Sequence, residues 1–199
     1  MNDFQYLKGA TPLDPDEMEG LKIRHITVRE QLNRFEQDNI NEALQWLKGR
    51  RKSDVLTEKF IKTLHQRMFG KVWRWAGSFR RSGKNIGVDW LQIPVHLHIL
   101  LQDTRYWIAH KTYSEDEIAV RFHHKLVWIH AFPNGNGRHA RLMTDVLLED
   151  VLSRKPFSWD VAEMDDDVQV RNFYIDALRK ADNGDYAKLL EFIRSVQTK

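Results

Sequence analysis

Residues 114–153 read SEDEIAVRFHHKLVWIHAFPNGNGRHARLMTDVLLEDVLS, and this stretch predicts two helices joined by a short loop. Ser114 and Glu117 form a capping-box pattern, which predicts the first turn of a helix. This helix is expected to end near His130, and four apolar residues mark its buried face: Ile118, Phe122, Leu126 and Ile129. A second helix is expected over residues 138–153, with an inward face made of Ala140, Met143, Leu147 and Val151.

Helical patterns on both sides of this stretch predict a mainly α fold. Apolar residues recur at helical spacing in five further segments, residues 27–49, 57–69, 94–109, 165–181 and 185–197. Thr27 can cap the first of these helices, and Pro94 suits the first turn of the third. We expect residues 1–52 to form an N-terminal arm with a helix, and residues 53–199 to form the compact core.

Residues 79–93 break the helical period. Apolar residues there alternate with small or acidic ones, in the order Ile86, Gly87, Val88, Asp89 and Trp90. A period of two residues is typical of a strand. This segment is therefore predicted to form a short β-hairpin.

The composition fits a globular domain, since 42% of the 199 residues are hydrophobic and 30% are charged, which is enough to bury one core. The net charge of +3 is too small to indicate a nucleic-acid-binding protein. The absence of cysteine excludes disulfide scaffolds and thiolate metal sites, and it suits a reducing compartment. Because the chain shows neither a signal-peptide pattern nor an apolar run of bilayer length, we expect a cytoplasmic protein without membrane contact.

The loop from His130 to Arg141 carries the chemistry. Gly135 and Gly137 allow backbone conformations closed to other residues and let a ligand approach closely. The loop opens a helix, whose first N–H groups lack partners and attract phosphate. Arg138 and Arg141 are three residues apart and can each fork onto phosphate oxygens, while a histidine at position 130 is suited to accept a proton. The alternative is a glycine-rich turn with two solvated arginines. The combination of a histidine base, a glycine-rich helix N-terminus and two arginines favours a phosphate site.

The segment His130–Arg141 resembles the signature of the Fic/Doc family, H-x-F-x-[D/E]-G-N-G-R-x-x-R. Residues 73–80 resemble the stretch before the family's flap hairpin, and the similarity extends over residues 55–195. Residues 11–13 and 39–40 resemble the branch called mobile mystery protein B. The resemblance implies a Fic-type helical bundle with a short β-hairpin flap and an N-terminal helical arm.

The resemblance also implies a protein adenylyltransferase, which transfers AMP from ATP to a hydroxyl of a target protein and releases pyrophosphate. His130 would be the general base that deprotonates the target's Tyr, Thr or Ser hydroxyl, and Phe132 would anchor the loop in the core. The nucleotide-binding residues that the resemblance implies are Gly135, Asn136, Gly137, Arg138 and Arg141, the last of them on the γ-phosphate. Whether the protein is a toxin of a toxin–antitoxin pair, a housekeeping modifier or a secreted effector is left open.

Asn134 stands where the family usually has an aspartate or glutamate that binds Mg²⁺. Its amide oxygen can coordinate the ion but brings no charge, and hard cations prefer anionic oxygen. We therefore expect Mg²⁺ to bind more weakly here or to depend more on ATP. The substitution keeps three alternatives open: phosphate transfer, removal of AMP, and a catalytically weak nucleotide-binding protein.

Two further assignments follow from the resemblance. Ile86, Gly87 and Val88 match the flap strand that pairs with the target's backbone in the family, with a small structural hairpin as the alternative. Glu30 on the first predicted helix is the nearest candidate for the family's inhibitory glutamate, which pairs with the second arginine of the motif. A solvated helix glutamate is the alternative for Glu30, and a separate antitoxin is left open as the regulator.

Other polar residues near the motif are expected to be structural. His123, His124 and His139 are expected to be packing or surface residues, because no zinc-binding pattern accompanies them. The basic runs at residues 50–52 and 80–81 are expected to form a solvated face, because no nucleic-acid-reading motif accompanies them.

Overall fold

The computed structural model describes residues 15–23, 26, 29–51, 53–159 and 168–195, and the chain is mainly helical, as predicted. The helices in chain order are α1 (Pro15–Met18), α2 (Arg29–Gly49), α3 (Glu58–Phe69), α4 (Ile93–His110), α5 (Glu115–Ile129), α6 (Asn136–Asp150), α7 (Val168–Asp182) and α8 (Ala187–Ser195). Within this described part of the chain, extended pairing is limited to one isolated antiparallel bridge between Leu21 and Trp73. None of the described helices combines the length and the apolar character that crossing a bilayer requires.

Local capping determines where the central helices begin. Thr57 accepts a hydrogen bond from the Phe60 N–H at 3.1 Å and precedes α3. Ser114 accepts from the Glu117 N–H at 3.3 Å and precedes α5, which confirms the predicted cap. Helix α6 begins at Asn136, earlier than predicted, because the glycine before it adopts a left-handed conformation and ends the loop there.

The helices pack into two core clusters on either side of α5 and α6. The larger cluster joins α2, α3, α4, α5 and α6 through Leu32, Leu64, Leu97, Phe122 and Met143. The smaller cluster joins α7 and α8 to α5 and α6 through Ala119, Val120, Leu148, Ala177 and Leu189. Helices α5 and α6 also pack directly on each other, so the loop between them lies at the centre of the fold.

Helix α2 shares this core with the segments that follow it. Leu32, Ile40 and Ala43 are buried in the larger cluster, and α2 packs against α3. The predicted cap of this helix, Thr27, lies outside the described residues. The division of the chain after residue 52 stays a prediction.

The predicted β-hairpin at residues 79–93 is wrong. In the structure this flap segment has no strand: it is irregular until a 3₁₀ turn at Trp90–Gln92 leads into α4. The reason is that its backbone bonds to the neighbouring loop instead of to itself. The Arg80 N–H donates to the Ala131 carbonyl at 3.0 Å, and the Val88 N–H donates to the Ile129 carbonyl at 3.4 Å.

Candidate active site

His130 ends α5 in a left-handed backbone conformation, with φ 53° and ψ 56°. Its N–H donates to the Leu126 carbonyl at 3.2 Å, and its own carbonyl accepts from Arg80 Nε at 2.6 Å. The residue is only 6% exposed. A left-handed residue turns the chain away from the helix axis, so the imidazole stands where α5 ends and the motif loop begins.

The pKa of His130 is lowered to about 4, first by burial and then by the positive charge of Arg80, with a smaller contribution from Lys84. A hydrogen bond with the Val127 backbone opposes this shift. The imidazole is therefore neutral at neutral pH and able to accept a proton. An anionic ligand beside it would raise the pKa toward the range in which a general base is most effective.

Asn136 closes the motif loop with its side chain. Its Oδ1 accepts from the Phe132 N–H at 2.9 Å, and its Nδ2 donates to the Phe132 carbonyl at 2.7 Å. Both groups are buried, so the two bonds fix the loop between α5 and α6. Only the backbone N–H of Asn136, at the start of α6, is then suited to bind phosphate.

Phe132 anchors the loop against a buried histidine of α3. Its ring stacks on the His65 ring, with centroids 3.7 Å apart. The His65 Nε2 donates to the Asn134 carbonyl at 3.0 Å, and the Gly77 N–H donates to His65 Nδ1 at 3.0 Å. Both ring nitrogens of His65 thus bind loop backbone. Phe132, the predicted anchor, therefore packs on a histidine whose supporting role the sequence did not indicate.

The N-terminus of α6 forms a backbone nest. Gly135 has a φ of +78°, and a Cβ at this position would lie 2.7 Å from the Phe69 ring, so only glycine fits. At Gly137 the nearest atom to an added Cβ is Arg141 Nη1, at 3.9 Å. Because the space beside Gly137 is open, a ligand can approach the backbone N–H groups there.

Arg138 and Arg141 point to different elements, although they are only three residues apart. Arg138 Nη2 pairs with Glu36 Oε2 of α2 at 2.7 Å, and its guanidinium lies 4.8 Å from the Phe69 ring centroid. Glu36 is 3% exposed and also accepts from Trp73 Nε1 at 2.6 Å. Arg138 therefore ties α6 to α2.

Arg141 faces α7 instead. Its guanidinium hydrogen-bonds with the Tyr174 hydroxyl, which also contacts His123 Nε2 at 2.9 Å. Arg141 also borders the first turn of α6 at Gly137. Arg141 and the N–H groups of that turn together place positive charge at the start of α6, an arrangement that would suit an anion.

Glu30, the predicted inhibitory residue, is exposed in the first turn of α2. The α2 glutamate that contacts the motif is Glu36, and its partner is Arg138, the first arginine of the motif. Sequence reasoning missed Glu36 and His65, two buried polar residues that hold the motif. It was wrong about Arg80, which was expected on a solvated face and is buried beside the motif. Arg80 ends the segment 73–80 that resembles the family, which was a usable signal, whereas Glu36 and His65 gave none.

The motif loop offers no carboxylate to a metal ion. Asn134 Oδ1 accepts from the Gly135 N–H at 2.6 Å, so the amide oxygen considered for Mg²⁺ is used within the loop. Among the described residues, no group of three or more His, Cys, Asp or Glu side chains could hold a metal ion. This set of donors does not fit a Mg²⁺ ion held by the protein.

The flap segment passes beside the base. Gly87 has a φ of +97°, and a Cβ there would lie 2.6 Å from the His130 Cβ. Only glycine allows this approach. On the two sides of Gly87, Ile86 is 43% exposed and Val88 is half-buried, so Ile86 presents its apolar side chain outward.

The three buried histidines near the motif are packing residues, as expected. His139 is fully enclosed, and its Nε2 donates to the Ile61 carbonyl at 3.0 Å. His123 contacts Tyr174, and His124 Nε2 contacts Asp182 Oδ1 at 2.9 Å.

Comparison with known proteins gives a family match that contains the whole motif. Residues 55–148 match the model of the Fic/DOC family. A protein adenylyltransferase Fic from Aedes aegypti is 33% identical over 146 residues, which cover 71% of this chain and 28% of that protein. A relative of the same name from Culex quinquefasciatus is 32% identical with the same coverage. The chain thus spans little more than a quarter of the length of these curated relatives.

Two solved structures share the fold. The N-terminal FIC domain of Bep8 from Bartonella sp. 1-1C has a TM-score of 0.70 at 18% identity and covers 89% of each chain. BepC from Bartonella tribocorum, solved with bound AMPPNP, has a TM-score of 0.66 at 18% identity. The match covers 98% of this chain and 96% of the BepC chain. At this identity, the likeness concerns the fold alone.

Proposed function

The chain belongs to the Fic/DOC family, and from that premise we propose that it is a protein adenylyltransferase, which transfers AMP from ATP to a hydroxyl side chain of a target protein. One observation carries the proposal. The buried imidazole of His130 and the open first turn of α6 at Gly137, beside Arg141, lie at the two ends of the motif loop. The first group suits proton abstraction from a hydroxyl, and the second suits nucleotide phosphates.

In the proposed reaction, the target's hydroxyl oxygen attacks the α-phosphorus of ATP while the His130 imidazole takes the hydroxyl proton. A bond forms between that oxygen and the α-phosphorus. The bond from the α-phosphorus to the oxygen that bridges to the β-phosphate breaks, and pyrophosphate leaves. The N–H groups of Asn136 and Gly137 would stabilise the negative charge on the phosphates, and Arg141 would bind the γ-phosphate, whereas the Gly135 N–H is already bonded to Asn134 Oδ1.

Arg138 takes a supporting role in this proposal. Because its guanidinium is paired with the buried Glu36 and lies against Phe69, it holds the start of α6 in place and acts on the phosphates only through the loop. Mg²⁺ would enter with ATP, since the loop supplies no carboxylate for it.

The target would be a protein whose Tyr, Thr or Ser hydroxyl is presented next to His130 by the segment Ile86–Val88. The exposed Ile86 side chain and the nearby backbone are the groups available for this contact. Inhibition by Glu30, a separate antitoxin, the cytoplasmic location and the closer link to the mobile mystery protein B branch stay predictions.

The proposal is tested with α-labelled ATP and Mg²⁺ in cell lysate. Wild type is expected to label a protein band. His130→Ala should reduce labelling at least about 100-fold, because general-base catalysis contributes factors of this order. Binding of ATP by His130→Ala, measured by calorimetry, should stay close to wild type. His98→Ala, which changes an exposed histidine of α4, is the matched control and should label normally. Full labelling by His130→Ala would contradict the proposed role of the base.

A second candidate function rests on Asn134, whose amide oxygen is held by the Gly135 N–H and brings no charge. It covers phosphate transfer, removal of AMP and nucleotide binding without turnover. Label on the γ-phosphate that appears in protein would favour phosphate transfer. Loss of label from AMP-modified protein would favour removal of AMP, and tight ATP binding with no transfer of either label would favour a binding protein.

A further inference from the structure

The buried guanidinium of Arg80 hydrogen-bonds both to the flap segment and to the backbone of His130. The residue is 2% exposed. Its Nε donates to the His130 carbonyl at 2.6 Å, its Nη1 donates to the Ser82 carbonyl at 2.8 Å, and its Nη2 donates to the Val88 carbonyl. These three acceptors belong to the end of α5 and to both sides of the flap segment.

The acceptors of the Arg80 side chain are all backbone carbonyls. Substituting the side chain of an acceptor residue would therefore leave the acceptor atom in place. Its Nη groups hold Ser82 and Val88 together where a β-hairpin would use cross-strand bonds. The backbone N–H of Arg80 adds a fourth contact, to the Ala131 carbonyl at 3.0 Å. The Arg80 side chain therefore joins the two sides of the irregular flap, beside the backbone bonds that attach the flap to the neighbouring loop.

Only arginine can make this set of bonds. Its planar fork presents N–H groups in several fixed directions, whereas lysine carries one nitrogen at the end of a flexible chain. Burial lowers the pKa of Arg80 from its usual value, yet guanidinium remains charged at any physiological pH. The charge is solvated by carbonyl dipoles in place of water.

We propose that Arg80 is a positioning residue for transfer, which holds the flap segment and His130 in one fixed arrangement so that the target's hydroxyl meets the base. This inference rests on the proposed function. Arg80 itself contacts neither the nucleotide nor the target. Its effect passes through the His130 carbonyl on one side and through Ser82 and Val88 on the other.

The first test is the variant Arg80→Lys, which keeps charge and approximate volume but loses the fork. A misplacement of about 1 Å at a reacting group costs about 100-fold in rate. We expect kcat/KM for the acceptor, namely the protein recovered as the labelled band, to fall by about this factor through both a lower kcat and a higher KM. The KM for ATP should stay within about twofold of wild type, because the anion nest does not include Arg80. Arg51→Lys, at an exposed position, is the matched control and should be unchanged.

A rescue experiment separates positioning from general damage. In Arg80→Ala, added methylguanidinium can enter the space that the side chain leaves and reach the same carbonyls. Transfer is expected to recover with methylguanidinium and not with methylammonium at equal concentration. Equal recovery with both ions, or recovery with neither when the variant is folded by circular dichroism, would overturn the proposal.

Hydrogen exchange provides a test that needs no transferase activity. In Arg80→Lys, the Val88 amide, which donates to the Ile129 carbonyl, should exchange at least about tenfold faster, because the side-chain bonds that hold the Ser82 and Val88 carbonyls in place are lost, while the amides of α6 should be unchanged. Wild-type exchange in this segment, or wild-type acceptor kinetics, would overturn the role of Arg80. Faster exchange together with a wild type that transfers no AMP would leave the positioning role standing and reject the proposed function.

Discussion

His65 shows at the scale of one residue how the motif loop is held. It lies on the buried face of α3, and its ring stacks on Phe132. Because the Gly77 N–H donates to Nδ1, the proton of the neutral ring must sit on Nε2, which donates to the Asn134 carbonyl. One tautomer of the His65 ring, with its proton on Nε2, thus bonds to both loops.

His65→Phe is predicted to lower the free energy of unfolding by about 2–4 kcal/mol, because the phenyl ring keeps the stacking but loses the part-buried hydrogen bonds to the Gly77 N–H and the Asn134 carbonyl. Urea denaturation followed by circular dichroism measures the change. His98→Phe, at an exposed position of α4, is the control and should shift stability by less than about 0.5 kcal/mol. An unchanged midpoint for His65→Phe would show that these two bonds contribute nothing net.

At the scale of elements, the short segment around α1 buttresses the flap from outside. Its Glu17 pairs with Lys84 of the flap, and the Glu17 carbonyl accepts from Trp75 Nε1 at 2.9 Å. The side chain of Lys84 is 3% exposed, so this ion pair is shielded from water. The bridge between Leu21 and Trp73 attaches the same segment to the loop after α3.

Glu17→Gln is predicted to open this segment locally, because Lys84 would remain buried with a neutral partner. Breaking a buried pair on one side costs up to about 3 kcal/mol. Amides of residues 19–23 and of the flap segment should exchange faster, while α5 and α6 keep their protection. Glu19→Gln, which changes an exposed glutamate next to α1, is the matched control. Equal protection in both variants would remove the buttressing role of Glu17.

At the scale of the whole molecule, the buried histidines make stability depend on pH. Burial is the main cause that lowers the pKa of His123 to about 3 and those of His130 and His139 to about 4. Unfolding returns each to the ordinary value of 6.5, so between about pH 4 and 6.5 the unfolded chain binds more protons. Asp145 acts in the opposite sense, because burial raises its pKa to about 7. Three histidines outweigh one carboxyl group.

The free energy of unfolding is therefore predicted to fall as the pH drops below 6.5, and to fall less steeply below about pH 4, where His130 and His139 are protonated in the folded chain as well. The expected slope is roughly 1–3 kcal/mol per pH unit, since each net proton contributes about 1.4 kcal/mol per unit. Urea denaturation at intervals between about pH 7 and pH 4 measures it. Stability that is flat or rises over this range would mean that the buried histidines are protonated in the folded chain. The variant His139→Gln is expected to reduce the slope.

The sequence predicted the helices around the motif closely, because their signals are local. Caps such as Ser114 act on residues three positions away, and apolar periodicity is read within one helix. The hairpin prediction was wrong because the contacts that shape this segment are not local in the sequence. The alternation from Ile86 to Trp90 is a real period of two, but the carbonyls of Ser82 and Val88 bond to the Arg80 side chain and not across a hairpin.

By itself, the sequence determined the helical class of the fold, the loop between α5 and α6, and the residue types that the proposed chemistry needs there: a histidine, two glycines and an arginine. Only the tertiary structure decided which side chains support them. Glu36 is far along the chain from Arg138, and so are His65 from Asn134 and Arg80 from His130. The partner of a buried polar group is whichever matching group the packed helices bring within hydrogen-bond distance, and no pattern of neighbouring residues specifies that distance.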